Sequence, residues 1–274
     1  MIRNMATVVT RGLMLPASVL LLSAANLPAE EPRIEEAALQ LMKTYQNAIV
    51  EVTAVVEIEV SGAGRAAQRG GEQPVETTGT VIHENGMLVV AYSMINPVSL
   101  SPSMQVAQDG LQQSIQATGL VKDVKIRMPD GREVSGRLVL KDPDLDLAFI
   151  LPLPDEGGED LGLAVVDLAA SASPALLEQL VMLGQMPNYL NRQPSVLLTR
   201  VVSVVERPRP FYAVSDLSGL GMPVFNRHGK VVGITVLRKG GASGGQSGGN
   251  MTPVILPAAD VLEIAGQALE EAGR

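Results

Sequence analysis

The chain has 274 residues, of which 46% are apolar, enough to form one large or two small globular domains. Its formal charge is −8 and it has no basic tract, which argues against nucleic-acid binding, since that needs clustered Lys and Arg. The absence of Cys excludes disulfides, zinc-thiolate sites and cysteine nucleophiles. With only two histidines, His83 and His228, we expect no metal centre and no cofactor.

Residues 1–29 have the pattern of a secretory signal peptide. Two arginines and no acid come first, followed by the apolar run Leu13–Leu22 and then small residues. This pattern predicts cleavage after Ala25, with Ala29 as the second choice, and therefore a periplasmic or secreted protein with no membrane attachment after cleavage. An uncleaved N-terminal membrane anchor is the alternative, although the apolar run is shorter than the roughly 20 residues that a spanning helix needs.

The next segments alternate between helix, strand and polar sequence. Glu35–Ala48 has helical periodicity, and the β-branched residues of Ile49–Val60 predict a strand. The Gly-, Arg- and Gln-rich segment Ser61–Thr78 predicts a mobile loop. Gly79–Val90 predicts a hairpin that turns at Asn85-Gly86, and a short helix around Val106–Ile115 is expected in the polar stretch that follows.

Strand signals dominate the rest of the sequence. Val124–Ile150 predicts three successive antiparallel strands, and the Pro-, Gly- and acid-rich segment 151–160 predicts a connection between two domains. Asp216–Val236 contains two apolar runs around the turn Asn226–Lys230, a hairpin pattern preceded by the tight Ser218-Gly219-Leu220-Gly221 elbow. A Gly/Ser-rich, flexible segment, 239–249, precedes a strand and the helical stripe Ala258–Leu269.

Two of these stretches resemble trypsin-like serine proteases of the Deg/HtrA type. The sequence D-G-R-E-V-S-G-R-L-V-L-K-D-P-D-L-D-L-A is similar to the stretch around the family's triad aspartate, and S-G-L-G-M-P-V-F-N is similar to its nucleophile loop, G-N-S-G-G-P. The resemblance covers roughly residues 35–270, without the PDZ domain that often follows. It implies that Ser93, Asp146 and Leu220 occupy the triad positions. Ser218, Gly219, Gly221 and Met222 would occupy the oxyanion-loop positions.

Acyl transfer by such a protease needs a nucleophile, a base and an acid that orients the base. Ser93 cannot serve as a base near neutral pH and Leu220 has no hydroxyl, so the resemblance implies a degenerate triad. Asp146 could equally be one of three acids in a D-P-D-L-D turn, and a relic carboxyl would tolerate Asp146→Asn to within roughly 0.5 kcal/mol. Ser215 and Ser218 are alternative nucleophiles, but no base is apparent for either of them, and His83 is expected on a strand end.

The resemblance implies an all-β fold with two packed antiparallel six-stranded barrels of the chymotrypsin/trypsin type, a short N-terminal helix and a C-terminal helix. The expected domains are residues 30–155, with the first helix and barrel, and 156–274, with the second barrel and closing helix. The preferred function is an inactive protease homologue that binds or scaffolds a polypeptide partner. An active endopeptidase with a relocated catalytic group and a structural homo-oligomer subunit are the alternatives.

Intact-mass analysis of the protein from its native host should show a new N-terminus between residues 24 and 34, at Asn26 or, less favoured, at Glu30. Small residues occupy positions −3 and −1 of the first cut, whereas Leu27 stands at −3 of the second. A mature protein that retains Met1 would contradict the signal-peptide prediction.

Overall fold

A computed structural model describes residues 33–62, 65–100, 103–108, 111–153, 161–240 and 251–274. The predicted signal peptide lies outside these residues, as do most of the predicted 151–160 connection and of the Gly/Ser-rich segment 239–249. No helix within the described ranges is long and apolar enough to cross a membrane.

Thirteen strands and three α-helices make up the described parts of the chain. The first half contains α1 (Ile34–Tyr45), β1 (Ile49–Gly62), β2 (Arg65–Val81), β3 (Leu88–Ala91), α2 (Tyr92–Ile95), β4 (Ser103–Gln108), β5 (Leu111–Arg127), β6 (Glu133–Asp142) and β7 (Leu147–Leu153). The second half contains β8 (Gln179–Gln185), β9 (Pro194–Val205), β10 (Phe211–Val214), β11 (Pro223–Asn226), β12 (Val231–Lys239), β13 (Met251–Pro257) and α3 (Ala258–Ala272).

The strands form two closed antiparallel barrels of six strands each, which confirms the predicted fold class. The first runs in the order β1-β2-β3-β7-β6-β5 and closes through pairing of β1 with β5, while β4 adds to β5 from outside. The second closes in the order β10-β13-β12-β11-β8-β9. The predicted hairpins are present, with β2 and β3 joined through Gly86 at φ +83° and β11 paired with β12.

Apolar side chains fill each barrel and also the space between the barrels. The largest cluster combines residues of both barrels with the inner faces of α1 and α3. On one side of it, the Tyr45 ring at the end of α1 stacks on Phe225 of β11, with ring centroids 5.0 Å apart. Although α1 directly precedes the first barrel in the chain, it packs on strands β8 and β9 of the second.

Two predictions of local structure are wrong. Most of Ser61–Thr78, predicted as a mobile loop, belongs to β2, which pairs with β1 from Thr80 back to Arg65. The helix predicted around Val106–Ile115 is replaced by the β4–β5 hairpin, in which Gln108 pairs with Leu111. Local composition gave the wrong answer because pairing with neighbouring strands outweighs intrinsic propensity.

Candidate active site

Asp146 lies in the turn between β6 and β7, and its side chain points into the protein. The residue adopts φ +59°, a left-handed conformation that aspartate tolerates better than most residues. Its Oδ1 accepts the backbone N–H of Ser93 at 2.7 Å, and its Oδ2 accepts the Ser93 hydroxyl at 3.0 Å and the Leu237 N–H at 2.7 Å. With only 2% of its surface exposed, Asp146 is part of a buried network and does not fit the expectation of a surface-type relic.

Two opposing effects set the ionisation of this carboxyl. Burial raises the pKa of Asp146 above its ordinary value, because the charged form loses its hydration. The N–H groups of Leu237 and Ser93 and the Ser93 hydroxyl oppose this rise by donating to the carboxylate, but burial is the larger effect.

Ser93 is held against Asp146 by backbone as well as side-chain contacts. It lies in α2, directly after β3, and the preceding Tyr92 N–H donates to the Asp146 carbonyl at 2.9 Å. Ser93 itself is 2% exposed. The structure thus brings together two of the three residues at the predicted triad positions, with a serine hydroxyl where the resemblance places the base.

Neither histidine takes the place of that base. His83 lies in the turn between β2 and β3, where its Nδ1 accepts the Asn85 N–H at 3.2 Å. His228 is exposed in the turn between β11 and β12. Among the residues that the structure describes, no three His, Asp or Glu side chains are grouped closely enough to hold a metal ion.

The elbow before β11 is fastened to both barrels. The Gly221 N–H donates to the Thr235 carbonyl at 2.7 Å and the Met222 N–H donates to the Thr235 hydroxyl at 2.9 Å, so neither points at a substrate. The Gly221 carbonyl accepts the Thr80 hydroxyl of β2 at 2.7 Å. Glycine is required at 221, where φ is +77° and a Cβ would lie 2.5 Å from the Thr78 carbonyl oxygen.

Met222 fills a space that two other glycines leave open. A Cβ at Gly184 would lie 2.8 Å from the Met222 sulfur, and one at Gly219 would collide with the Met222 methyl group. The Ser218 hydroxyl lies 3.7 Å from the Met182 sulfur and 4.0 Å from that of Met222. Met222, which stands where the family has a glycine, is therefore accommodated, and only 6% of it is exposed.

A cavity of about 320 Å³ lies beside the elbow, between the two barrels. Its walls come from β2, α2, the elbow and the loop that joins β8 to β9. The lining residues are Glu76, Thr77, Thr78, Met94, Gln185, Met186, Pro187, Asn188, Tyr189, Arg192, Gly219, Leu220 and Met222. Leu220, at the predicted nucleophile position, thus forms part of the wall of an open cavity.

Arg192 ties the β8–β9 loop to the first barrel. Its guanidinium forms ion pairs with Glu51 of β1 and with Glu76 of β2, the latter at 3.2 Å. Both Asn191 and Arg192 have positive φ, an uncommon conformation that the surrounding contacts must hold. This tie was not apparent from the sequence, because the three residues are far apart along the chain.

Asp146→Asn should lower the free energy of unfolding by about 1–3 kcal/mol, because an amide NH₂ cannot accept the hydrogen bonds that Oδ2 now accepts. Urea denaturation at neutral pH measures this loss. Asp144→Asn is the matched control, since it lies exposed in the same turn and should change stability by no more than about 0.5 kcal/mol. Equal effects of the two substitutions would contradict the network.

Comparison of the native protein with Asp146→Asn at different pH values tests the pKa of Asp146. Because the folded-state pKa is raised, the folded protein binds more protons than the unfolded chain between the ordinary and the raised value. The contribution of this carboxyl to stability therefore falls as pH rises through that window. The stability advantage of the native protein over Asp146→Asn should shrink from about pH 4 upwards. An advantage that grows with pH would show that the hydrogen bonds outweigh burial.

A family description and the solved structure of Deg5 agree with this architecture. The family description "Trypsin-like peptidase domain" matches residues 77–234. Deg5, a solved structure, is 20% identical and has a TM-score of 0.50, with 84% of this chain and 92% of Deg5 covered. The MamO protease domain from Magnetospirillum magneticum, in its apo form, is 17% identical and has a TM-score of 0.45, with 80% and 96% covered.

No curated protein sequence matches the chain. The match of residues 77–234 spans more than half of the 274 residues and includes Ser93, Asp146 and the elbow. The chain therefore belongs to the trypsin-like peptidase domain family.

Proposed function

We propose that this protein is a periplasmic or secreted member of the family that binds a polypeptide between its barrels without cleaving it. The observation that carries the proposal is the pairing of Ser93 with Asp146 beside an elbow whose tip is Leu220. The acid is present, but a hydroxyl that donates to it stands at the predicted position of the base. The periplasmic or secreted location rests on the signal-peptide pattern alone.

Hydrolysis has no evident nucleophile at this site. The Ser93 hydroxyl donates a hydrogen bond to Asp146, and an alkyl side chain stands at 220. Ser218 contacts the thioether sulfurs of Met182 and Met222, which are not proton acceptors for general-base catalysis. The Ser215 hydroxyl lies 3.4 Å from the Thr199 hydroxyl, which is no base either. These contacts disfavour a relocated catalytic serine.

The cavity walls favour a polypeptide as the ligand. Apolar side chains that are only partly covered line it or border it, with Met94 37%, Met186 39%, Leu190 42% and Tyr189 78% exposed. Thr77 and Thr78 line the same cavity, which gives the mixed apolar and polar surface typical of binding sites. A purely structural subunit would need Leu220 and Met222 to fill the cleft. That alternative is less well supported, because Met222 is buried but Leu220 lies in the wall of the open cavity.

A charge placed in the cavity should weaken this binding. Leu220→Glu should weaken the binding of fluorescein-labelled, reduced and carboxymethylated α-lactalbumin at least about tenfold, because a carboxylate would be desolvated against apolar side chains. Fluorescence anisotropy measures the affinity, and electrophoresis of the same samples should show that the labelled polypeptide remains intact.

Leu39→Glu is the matched control, since Leu39 is 64% exposed on α1, outside the cavity. It should bind the labelled polypeptide as the native protein does. Loss of binding in both variants, or in neither, would contradict a site at Leu220. Cleavage of the labelled polypeptide by the native protein would overturn the proposal as a whole.

The assignment of the triad positions can be tested by rebuilding the triad. A fluorophosphonate, which labels only an activated serine, should label the triple variant Ser93→His, Leu220→Ser, Met222→Gly and leave the native protein unlabelled. Neither Ser93→His nor Leu220→Ser alone should be labelled, because one lacks a nucleophile and the other a base. Labelling of the native protein would refute inactivity, and a folded but unlabelled triple variant would refute the assignment.

A further inference from the structure

Part of the first barrel's sheet continues beyond the point where the barrel closes. β1 pairs with β2 on one side and with β5 on the other as far as Gly62, and β4 pairs with the outer side of β5. We call the resulting four-stranded extension the arm; it comprises residues 57–62, 65–72, 103–108 and 111–120. Its strand order β2-β1-β5-β4 leaves β2 and β4 as the two edges.

The two edges differ sharply in sequence. Within the arm β2 carries Arg65, Arg69 and Glu72, with Pro74 shortly after it, and charges and proline are the residues that proteins use to prevent edge strands from pairing with other chains. β4, with the sequence S-M-Q-V-A-Q, contains no charge and no proline. One edge of the arm is thus protected against strand addition and the other is not.

Charge also singles out the β4 edge. Between Glu84 and Lys122, Asp109 is the only charged residue, in a chain whose formal charge is −8. Two copies of such an acidic protein repel each other over most of their surfaces, and the repulsion is smallest where both are uncharged. An antiparallel pair of two identical β4 strands places no like charges opposite each other.

The backbone of β4 has hydrogen-bonding groups for such a pair. Because the β4–β5 hairpin closes with the pair Gln108 and Leu111, alternate residues of β4 direct their N–H and C=O groups toward β5. By this alternation, the backbone groups of Ser103, Gln105 and Ala107 face the open edge. The sheet topology gives that edge no partner within the described ranges of the chain.

From these observations we infer that the protein self-associates through β4, which pairs antiparallel with β4 of a second copy and joins two arms into one sheet. The pair is related by a twofold axis, so the interface is closed and gives a dimer. Six residues a side form a small interface, so the dissociation constant should be on the order of micromolar. This inference is independent of the proposed binding in the cleft.

A positive charge on β4 should weaken the dimer. In sedimentation velocity between about 1 and 200 µM, the native protein should shift from monomer to dimer, and Gln105→Lys should raise the dissociation constant at least about tenfold. Gln73→Lys, the same substitution on the exposed, already protected β2 edge, should leave it unchanged. Both variants should bind labelled α-lactalbumin as the native protein does, which separates this test from that of the cleft.

Because the chain has no Cys, disulfide cross-linking of a single introduced cysteine gives a second measurement, which does not depend on weakening the interface. A single Gln105→Cys should form an intermolecular disulfide under mild oxidation, because a twofold axis through the middle of the three open-edge residues places position 105 opposite its own copy, whereas Gln73→Cys should not. A native protein that stays monomeric throughout the concentration range would overturn the inference. That result would be expected if β4 instead pairs with some other extended peptide. Equal cross-linking at positions 73 and 105 would overturn it as well.

Discussion

The buried carboxylate of Asp146 is the interaction on which the arrangement of the site depends. It accepts hydrogen bonds from Ser93, which follows β3 of the first barrel, and from Leu237, which belongs to β12 of the second. One side chain thus fixes the position of α2 and connects the two barrels. A buried acid with several donors is costly to leave partly satisfied, so each of these groups constrains the others.

Other polar contacts fasten the remaining walls of the cleft in the same way. The Thr80 hydroxyl of the first barrel holds the Gly221 carbonyl of the elbow, and Arg192 of the second barrel pairs with two glutamates of the first. These contacts cross between barrels whose apolar cores are otherwise packed together along one seam. The cavity beside Leu220 therefore has walls from both barrels that are held at fixed positions.

The sequence predicted those parts of the fold in which local pattern and tertiary pairing agree. The β11–β12 hairpin and the strands around Val124–Ile150 have alternation and turn residues that suit the observed pairing. β2 and the β4–β5 hairpin were not predicted, because their glycine- and glutamine-rich sequences form strands only when a long neighbouring strand such as β1 offers a partner. Contacts between elements that are distant in the sequence, such as those of α1 with β8 and β9, could not be predicted either.

From the sequence, the residues that form the site could be identified, but not their surroundings. The motif around Asp146 and the elbow around Leu220 identified residues that the structure brings into one region. Their environment could not be read from the sequence, because Asp146 accepts a hydrogen bond from the Leu237 N–H, and the fit of Met222 depends on Gly184. Space and solvation at a site are set by residues that lie far away along the chain.

The packing of Met222 has a chemical consequence for a protein without cysteine. Methionine is then its main target for oxidants, and conversion to the sulfoxide adds a polar oxygen to the sulfur. Met222 is packed against Gly184 and Gly219 and only 6% exposed, whereas Met94 and Met186 are 37% and 39% exposed in the cavity wall. Oxidants would therefore modify Met94 and Met186 before Met222, so the cavity wall would become more polar while the elbow kept its packing.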